Sequence, residues 1–320
     1  MLTVRPAGPG DAGDICALLN TVDRIETGGP QTDLRTVEAD LHHRDVDLAA
    51  DSWLAFDGGR PVAYALLRAD SGPGLIDADH YVLPDRQAAG ARLLELMEAR
   101  ARDMAAAVPG ARLRLQLNVR PTLDLDLITG YGWRAVRRHQ VMTLDLTTGP
   151  RSLPAPPAGL PGLTLRHCAA DPADPRRAHA LVEDTFAAHF GHVERAYGPW
   201  LDHLDARDLD WSLVWIASLP AAGDVGVLLT RDDRTSMGWL SHIGVRADQR
   251  GRGIGGHLLR HGFAVYAARG RSTVGLGVDT ANESGALGLY ERHGMAVHYA
   301  VDTWELPLGE PREPPVHPQE

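Results

Sequence analysis

Lysine is missing from this chain, and all 32 of its basic side chains are arginine. Its absence rules out a Schiff base to pyridoxal phosphate and the phosphate-binding lysine of a Walker loop. Cysteine is nearly missing as well. Cys16 and Cys168 are the two present, one near the start of each half, so neither a disulfide framework nor a cysteine-built zinc site is expected. No apolar run is long enough to span a membrane, although 44% of the residues are hydrophobic, which suffices for sizeable cores. Positive charge is in deficit. A net charge of −10 repels polyphosphate backbones, so no nucleic-acid partner is expected and cationic small molecules fit better. The opening MLTVRPAGPG lacks the basic-then-apolar order of a secretion signal. A cytoplasmic protein without a membrane partner is expected.

What the sequence does contain is a repeat. Leu2-Thr3-Val4-Arg5 returns as Leu163-Thr164-Leu165-Arg166, and the stretch Leu127 to Leu146 returns as Leu289 to Leu308, which brings Gly132 onto Gly294. The two offsets differ by a single residue. The chain therefore reads as a duplication, with one domain over 1–146 and another over 163–310. Between them TTGPRSLPAPPAGLPG, residues 147–162, is rich in proline and glycine and reads as an extended linker. Residues 311–320 read as a disordered tail.

Both halves carry the same order of elements. A short strand opens each (Thr3 to Arg5; Thr164 to His167), followed by helical segments such as Ala12 to Val22 and Pro175 to His189. Strands follow over Trp53 to Phe56, Pro61 to Leu67 and Leu75 to Leu83, matched by Ser212 to Ala217, Gly223 to Thr230 and Gly238 to Val245. A longer helix comes next, Ala88 to Ala107 or Ile254 to Arg269. A strand, a short helix and a last strand close each half. Each is thus an α/β unit with a mixed, mainly antiparallel sheet flanked by helices.

The segment Ile243 to Arg260 concentrates the chemistry. An apolar strand runs into a glycine-rich turn and then into a helix whose apolar residues Ile254, Leu258, Leu259, Phe263 and Tyr266 recur at helical spacing. Gly251, Gly253, Gly255 and Gly256 lack Cβ atoms, so the backbone can curl and aim successive N–H groups at an anion lying on the helix N-terminus. Arg250 and Arg252 add charge-assisted donors. The same glycines satisfy a dinucleotide fingerprint, yet only about 65 residues follow the loop, too few for the rest of a doubly wound sheet.

In Gln249-Arg250-Gly251-Arg252-Gly253-Ile254-Gly255-Gly256, and again in VGLGVDTANESGALGLYERHGM from Val274 to Met295, the sequence resembles the GNAT superfamily of N-acetyltransferases. Its duplicated arrangement resembles the tandem acetyltransferases of the mycothiol synthase type. The resemblance is good over 162–308 and weak in the first half. It implies acetyl-CoA as co-substrate, with its pyrophosphate on the glycine loop and its pantetheine arm along the backbone of Ile243, Gly244 and Val245. It also makes Tyr290, in the family's Leu-Tyr-x-x-x-Gly arrangement, the acid that protonates the leaving sulfur. The bland alternative for Tyr290 is an aromatic that packs a helix onto the sheet. Asn282, at the expected start of that helix, either binds the pantetheine arm or caps the helix. Gly294 reads as the C-terminal cap.

Transfer also calls for a base. His242, on the strand before the loop, is the first choice, since an unperturbed imidazole with a pKa of about 6.5 accepts protons near neutrality. A hydrogen-bonded structural histidine is the competing reading. In FAAHFGHVE, Phe186 to Glu194, the side chains of His189, His192 and Glu194 are candidates for contact with the acceptor. The His-x-x-His spacing lacks a third ligand at fixed spacing, so no metal is expected. Glu183 and Asp184 either attract a cationic amine or form an exposed helix face.

The first half departs from this pattern. Its loop, Val82 to Ala91, is two residues shorter and holds one glycine, with Ala88 and Ala89 placing Cβ atoms where a phosphate must approach, and Ile128 stands opposite Tyr290. That half is expected to have lost the cofactor. The expected function is acetyl transfer from acetyl-CoA directly to a primary amine of a small molecule. The alternative is a CoA-binding sensor or interaction module without turnover.

Overall fold

A strand buried on one face alternates apolar and polar residues, while a strand covered on both faces is apolar throughout, and this chain holds both kinds. In the computed structural model the described residues are 1–43, 46–69, 74–147, 161–204, 209–232, 234, 237–282 and 285–309. They form two compact units, one made of residues 1–139 together with the segment from 299 onward, the other of 140–298. The expected tail, and most of the expected linker, lie outside the described residues.

Unit 1 opens with β1 (Leu2–Arg5) and α1 (Ala12–Thr27), then α2 (Leu34–Leu41) and α3 (Leu48–Asp51). Ile15, Leu18, Leu19 and Val22 bury one stripe of α1, and Gly28, at φ 85°, ends it in the left-handed conformation that only glycine adopts cheaply. Asp33 caps α2 by accepting the Thr36 N–H at 2.9 Å. Next come β2 (Ser52–Asp57), β3 (Arg60–Arg68), β4 (Leu75–Val82), α4 (Gln87–Ala105), β5 (Arg112–Asn118), α5 (Leu125–Gly130) and the first part of β6 (Arg134–Asp145). The sheet runs β1-β2-β3-β4-β5. All neighbours are antiparallel except β4 and β5, which pair in parallel from Leu75↔Arg112 to Ala78↔Leu115 and no further.

Unit 2 repeats this plan with β7 (Thr164–His167), α6 (Asp174–Phe186), α7 (Tyr197–His203), β8 (Val214–Leu219), β9 (Gly223–Arg231), β10 (Gly238–Val245), α8 (Ile254–Ala268), β11 (Thr273–Asp279) and α9 (Ala286–Arg292). The expected strand from Ser212 begins later, because Trp211–Leu213 is a 3-10 turn held by Asp210, whose carboxylate accepts the Ser212 N–H at 3.0 Å. The sheet order is β7-β8-β9-β10-β11. One face packs Leu258, Leu259 and Tyr266 of α8 with Tyr290 of α9, and the other packs Ala178, Leu181 and Val182 of α6 with Trp200 of α7.

The sixth strand of each sheet departs from the division expected at residues 146 and 163. β12 (Ala296–Pro307) follows α9 in sequence, yet its residues 301–307 pair antiparallel with β5 of unit 1. Residues 140–145 of β6 lie beside β11 in unit 2, where the Leu146 N–H donates to Ser272 O at 2.7 Å. Each half of the chain therefore supplies a strand to the unit built mainly from the other half. No helix among the described residues is long and apolar enough to cross a membrane.

Candidate active site

β10 and β11 pair in parallel only at Gly238↔Val274 and Trp239↔Gly275. Beyond Trp239 the two strands separate. A bulge between Leu240 and His242 accompanies the separation on the β9 side, as bulges bend a strand and increase its twist. The Arg246 N–H donates to Val225 O at 3.0 Å, so the alternation of an antiparallel ladder has Gly244 and His242 bonding to β9 and turns the amides of Ile243 and Val245 towards the gap. The Val245 carbonyl is engaged there by the Arg250 Nε at 3.1 Å. Ile243 thus presents an open donor and acceptor at the split edge, and Val245 an open donor.

After β10 a 3-10 turn, Ala247–Gln249, leads through Arg250 to Gly251 at φ 73° and Gly253 at φ 87°. Both are left-handed, where a Cβ costs roughly 1–2 kcal/mol, and both are exposed, as is Arg252 between them. Gly253 is the N-cap of α8, and it has no side chain with which to cap that helix. The first N–H groups of α8, those of Ile254, Gly255 and Gly256, consequently lack intrahelical acceptors and lie at the positive end of the helix dipole. Arg252 leans on the Gln249 side-chain carbonyl, keeping its guanidinium beside the turn.

Gly255 and Gly256 also meet a packing demand that their sequence pattern did not show. A Cβ on Gly256 would stand 2.9 Å from His293 Nε2, and one on Gly255 would stand 3.4 Å from Leu289 Cδ2. Their lack of side chains lets α9 close against α8. Gly244 is small for a similar reason, since a Cβ there would collide with Thr185 of α6. That collision also establishes which way β10 faces. His242 and Gly244 look towards α6, so Ile243 and Val245 look towards α8.

On the α6 face, Phe186 stands between two imidazoles, 4.4 Å from the ring of His189 and 5.0 Å from that of His242. Burial lowers the His189 pKa below its ordinary value, and nearby Arg250 and His192 lower it further, while Asp279 at the end of β11 opposes them. His189 is therefore neutral at pH 7 and sits within electrostatic reach of both the glycine turn and the far lip of the gap. His192 turns elsewhere. Its Nε2 lies 3.0 Å from a carboxylate oxygen of Glu183, which also approaches His179 at 3.7 Å. Glu183 is largely buried and belongs to this cluster, whereas Asp184 forms the exposed helix face. Glu194 is exposed and makes no hydrogen bond or ion pair among the described residues. The signal that was missed is the i, i+4 spacing of His179 and Glu183 on one face of α6.

Tyr290 lies on α9 at 8% exposure, within the core under α8. Burial pushes its pKa up to about 12, so the phenol stays protonated at any physiological pH. Its hydroxyl makes no hydrogen bond among the described residues. Asn282 does not cap α9. It sits in the turn after β11, with its N–H donating to Asp279 O at 3.2 Å, and Gly285, at φ 75°, takes the N-cap position. Gly294 closes α9 in a Schellman arrangement, with Gly294 N–H to Glu291 O at 3.0 Å and Met295 N–H to Tyr290 O at 3.1 Å.

The corresponding corner of unit 1 has no such mouth. Arg86 is the N-cap of α4, its side chain paired with Asp85 and Asp57, and no left-handed glycine precedes it. Ala89, expected to crowd the approach, is turned into the core, and only Ala88 is exposed.

Residues 182–295 match the model of the acetyltransferase (GNAT) family. Among solved structures, a GCN5-related N-acetyltransferase from Sphaerobacter thermophilus is similar at 26% identity and a TM-score of 0.80, covering 96% of each chain. A tandem GNAT protein from the clavulanic acid biosynthesis pathway is similar at 17% identity and a TM-score of 0.69, over 98% of this chain and 100% of that one. A fungal glucosamine N-acetyltransferase region is similar at 15% identity and a TM-score of 0.68, over 96% of this chain and 38% of the other. No curated protein matches the sequence. The last two likenesses speak to fold alone, and neighbours of the GNAT fold cover nearly the whole chain.

Proposed function

We propose, from the premise that residues 182–295 form a GNAT acetyltransferase domain, that the chain moves an acetyl group from acetyl-CoA directly to a primary amine of a small molecule, using unit 2. The observation that carries this reading is the mouth of the β10/β11 split. An uncapped helix start, two left-handed glycines and two exposed arginines converge there beside open strand amides. That chemistry suits a diphosphate followed by an amide-bearing arm. Bound acetyl-CoA would supply an activated thioester carbonyl and a thiol leaving group.

The chain's own residues would divide the remaining work. The N–H groups of Ile254, Gly255 and Gly256, with Gly251, Gly253, Arg250 and Arg252, would hold the phosphates, and the amides of Ile243 and Val245, flanking Gly244, would hold the arm. Asn282, on the opposite lip after β11, would face that arm. His242 and His189, joined through Phe186, would receive the amine, and a neutral imidazole there can take its proton. Glu183 with His192 would set the polarity of the acceptor side. Tyr290 would hold a proton at its hydroxyl and offer it to the departing sulfur. A phenol near 12 facing a thiol near 8.5 favours a strong donated hydrogen bond over complete transfer, since moving the proton is uphill by several kcal/mol.

Calorimetric titration of acetyl-CoA, followed by a thiol-release assay over a panel of amines, tests the reading. One equivalent bound, with turnover on some amine, is expected. Binding without turnover would leave a CoA-binding module, and absence of binding would remove the assigned cradle.

A further inference from the structure

Unit 1 contains a cavity of about 430 Å³ in the seam where β4 and β5 part after Ala78↔Leu115, roofed by α1. That volume is within the range of small-molecule sites. Its charges do not balance. Arg114 is held by both oxygens of Asp77, at 2.6 and 3.0 Å, and Arg68 is held by Asp79 at 2.7 Å. Those pairs neutralise one another. Asp23 and Glu26, one helical turn apart on α1, line the same cavity, and neither has a guanidinium partner among the described residues.

Their existing partners are neutral. Glu26 accepts from the Thr122 N–H at 2.6 Å, the Thr122 hydroxyl at 2.9 Å and the Asn118 side chain at 2.5 Å. Asp23 is only 6% exposed, yet its hydrogen bonds, from the Gln31 N–H and the Thr32 hydroxyl, both reach Oδ2. Oδ1 receives none among the described residues. Tyr81 lines the cavity too, with its hydroxyl making no hydrogen bond there although Asp23, Glu26 and Asp79 surround it electrostatically. Asp23 is buried and Glu26 half-buried, and a carboxylate withdrawn from water with neutral donors and no counter-ion is costly unless a cation joins it.

We propose that this cavity binds a small hydroxylated primary ammonium ion, with its charge against Asp23 and Glu26 and its hydroxyls against Tyr81 and Gln31. The site is separate from the transfer chemistry of unit 2. It selects against anions, because lining carboxylates outnumber guanidinium groups by two, so a nucleotide-bearing acyl carrier is excluded by the same charges that attract the amine.

The test is calorimetric titration of the full chain with three ammonium probes, glucosamine, ethanolamine and putrescine, against neutral glucose and anionic glucose 6-phosphate. At least one ammonium probe is expected to bind at one equivalent, with glucose about tenfold weaker or worse and glucose 6-phosphate not binding. Asp23→Asn, which keeps shape and removes charge, is expected to weaken that binding at least about tenfold, and Tyr81→Phe to weaken it by a smaller factor. Gly253→Val, which alters only the unit 2 mouth, is expected to leave it unchanged. No binding by any ammonium probe overturns the proposal. Equal binding by folded Asp23→Asn and Tyr81→Phe also overturns it, as does loss of binding in folded Gly253→Val.

Discussion

Tyr290 carries two duties on one side chain. Its ring fills the core under α8, and its hydroxyl is the proposed donor to sulfur. Phenylalanine keeps the first duty and removes the second. Tyr290→Phe is therefore expected to lower kcat by about ten- to a hundredfold while acetyl-CoA affinity stays within about twofold, measured by steady-state kinetics beside titration. Unchanged kcat would take Tyr290 out of the chemistry. Gly253 has the opposite profile, since it is exposed, buries nothing and is held at φ 87°. Gly253→Val places a branched Cβ in the left-handed region at the phosphate mouth, so acetyl-CoA affinity is expected to fall at least about tenfold in a folded protein. Titration with CoA checks this, and full affinity would move the cradle elsewhere.

Among the elements, the strands and long helices of both halves were legible because period-2 and period-3.6 patterns are local properties of sequence. β10 from Gly238 to Val245 and the start of α8 at Ile254 agree with the expectation to the residue. What stayed hidden depends on packing partners. A strand pattern says which residues alternate and nothing about whose edge it joins, so the exchange of β6 and β12 could not be read. Nor could the roles of Gly255 and Gly256, which depend on the approach of α9. The N-terminus of α9 was misplaced because asparagine is a common cap, while a left-handed glycine took that position three residues later. Likewise the Glu183 partner of His192 is nine residues away and met only through the turn after α6.

The Schellman ends of α5 and α9 carry the repeat down to the hydrogen bond. Gly132 N–H donates to Thr129 O and Trp133 N–H to Ile128 O, as Gly294 and Met295 do in unit 2. Gly294 sits at φ 86°. Gly294→Ala is expected to lower unfolding free energy by about 1 kcal/mol. Denaturant melts of the variant would reveal it, and no loss would mean the α9 terminus relaxes freely.

For the whole molecule, acid is the condition that should unsettle both units. His80 in unit 1 and His261 in unit 2 are each brought to a pKa of about 4 by burial. The unfolded chain, with imidazoles near 6.5, then binds more protons than the folded one between those values, so stability rises with pH across that window and is lost as pH falls through it. The two groups together amount to at most roughly 7 kcal/mol. Thermal melts from pH 7 to 4 should show a falling midpoint, and His261→Phe should flatten part of the decline. A midpoint indifferent to pH over that range would contradict the burial of both rings in neutral form.

The exchanged strands also govern the order of events during synthesis. Unit 1 begins at the first residue yet lacks its sixth strand until residues 301–307 have been made. At ordinary translation rates that is a wait of roughly ten to thirty seconds after residue 139 is added, with the β5 edge unpaired throughout. The nascent chain must therefore keep an open sheet edge out of trouble on the ribosome, and neither duplicated half can be released as a finished domain before the other is nearly complete.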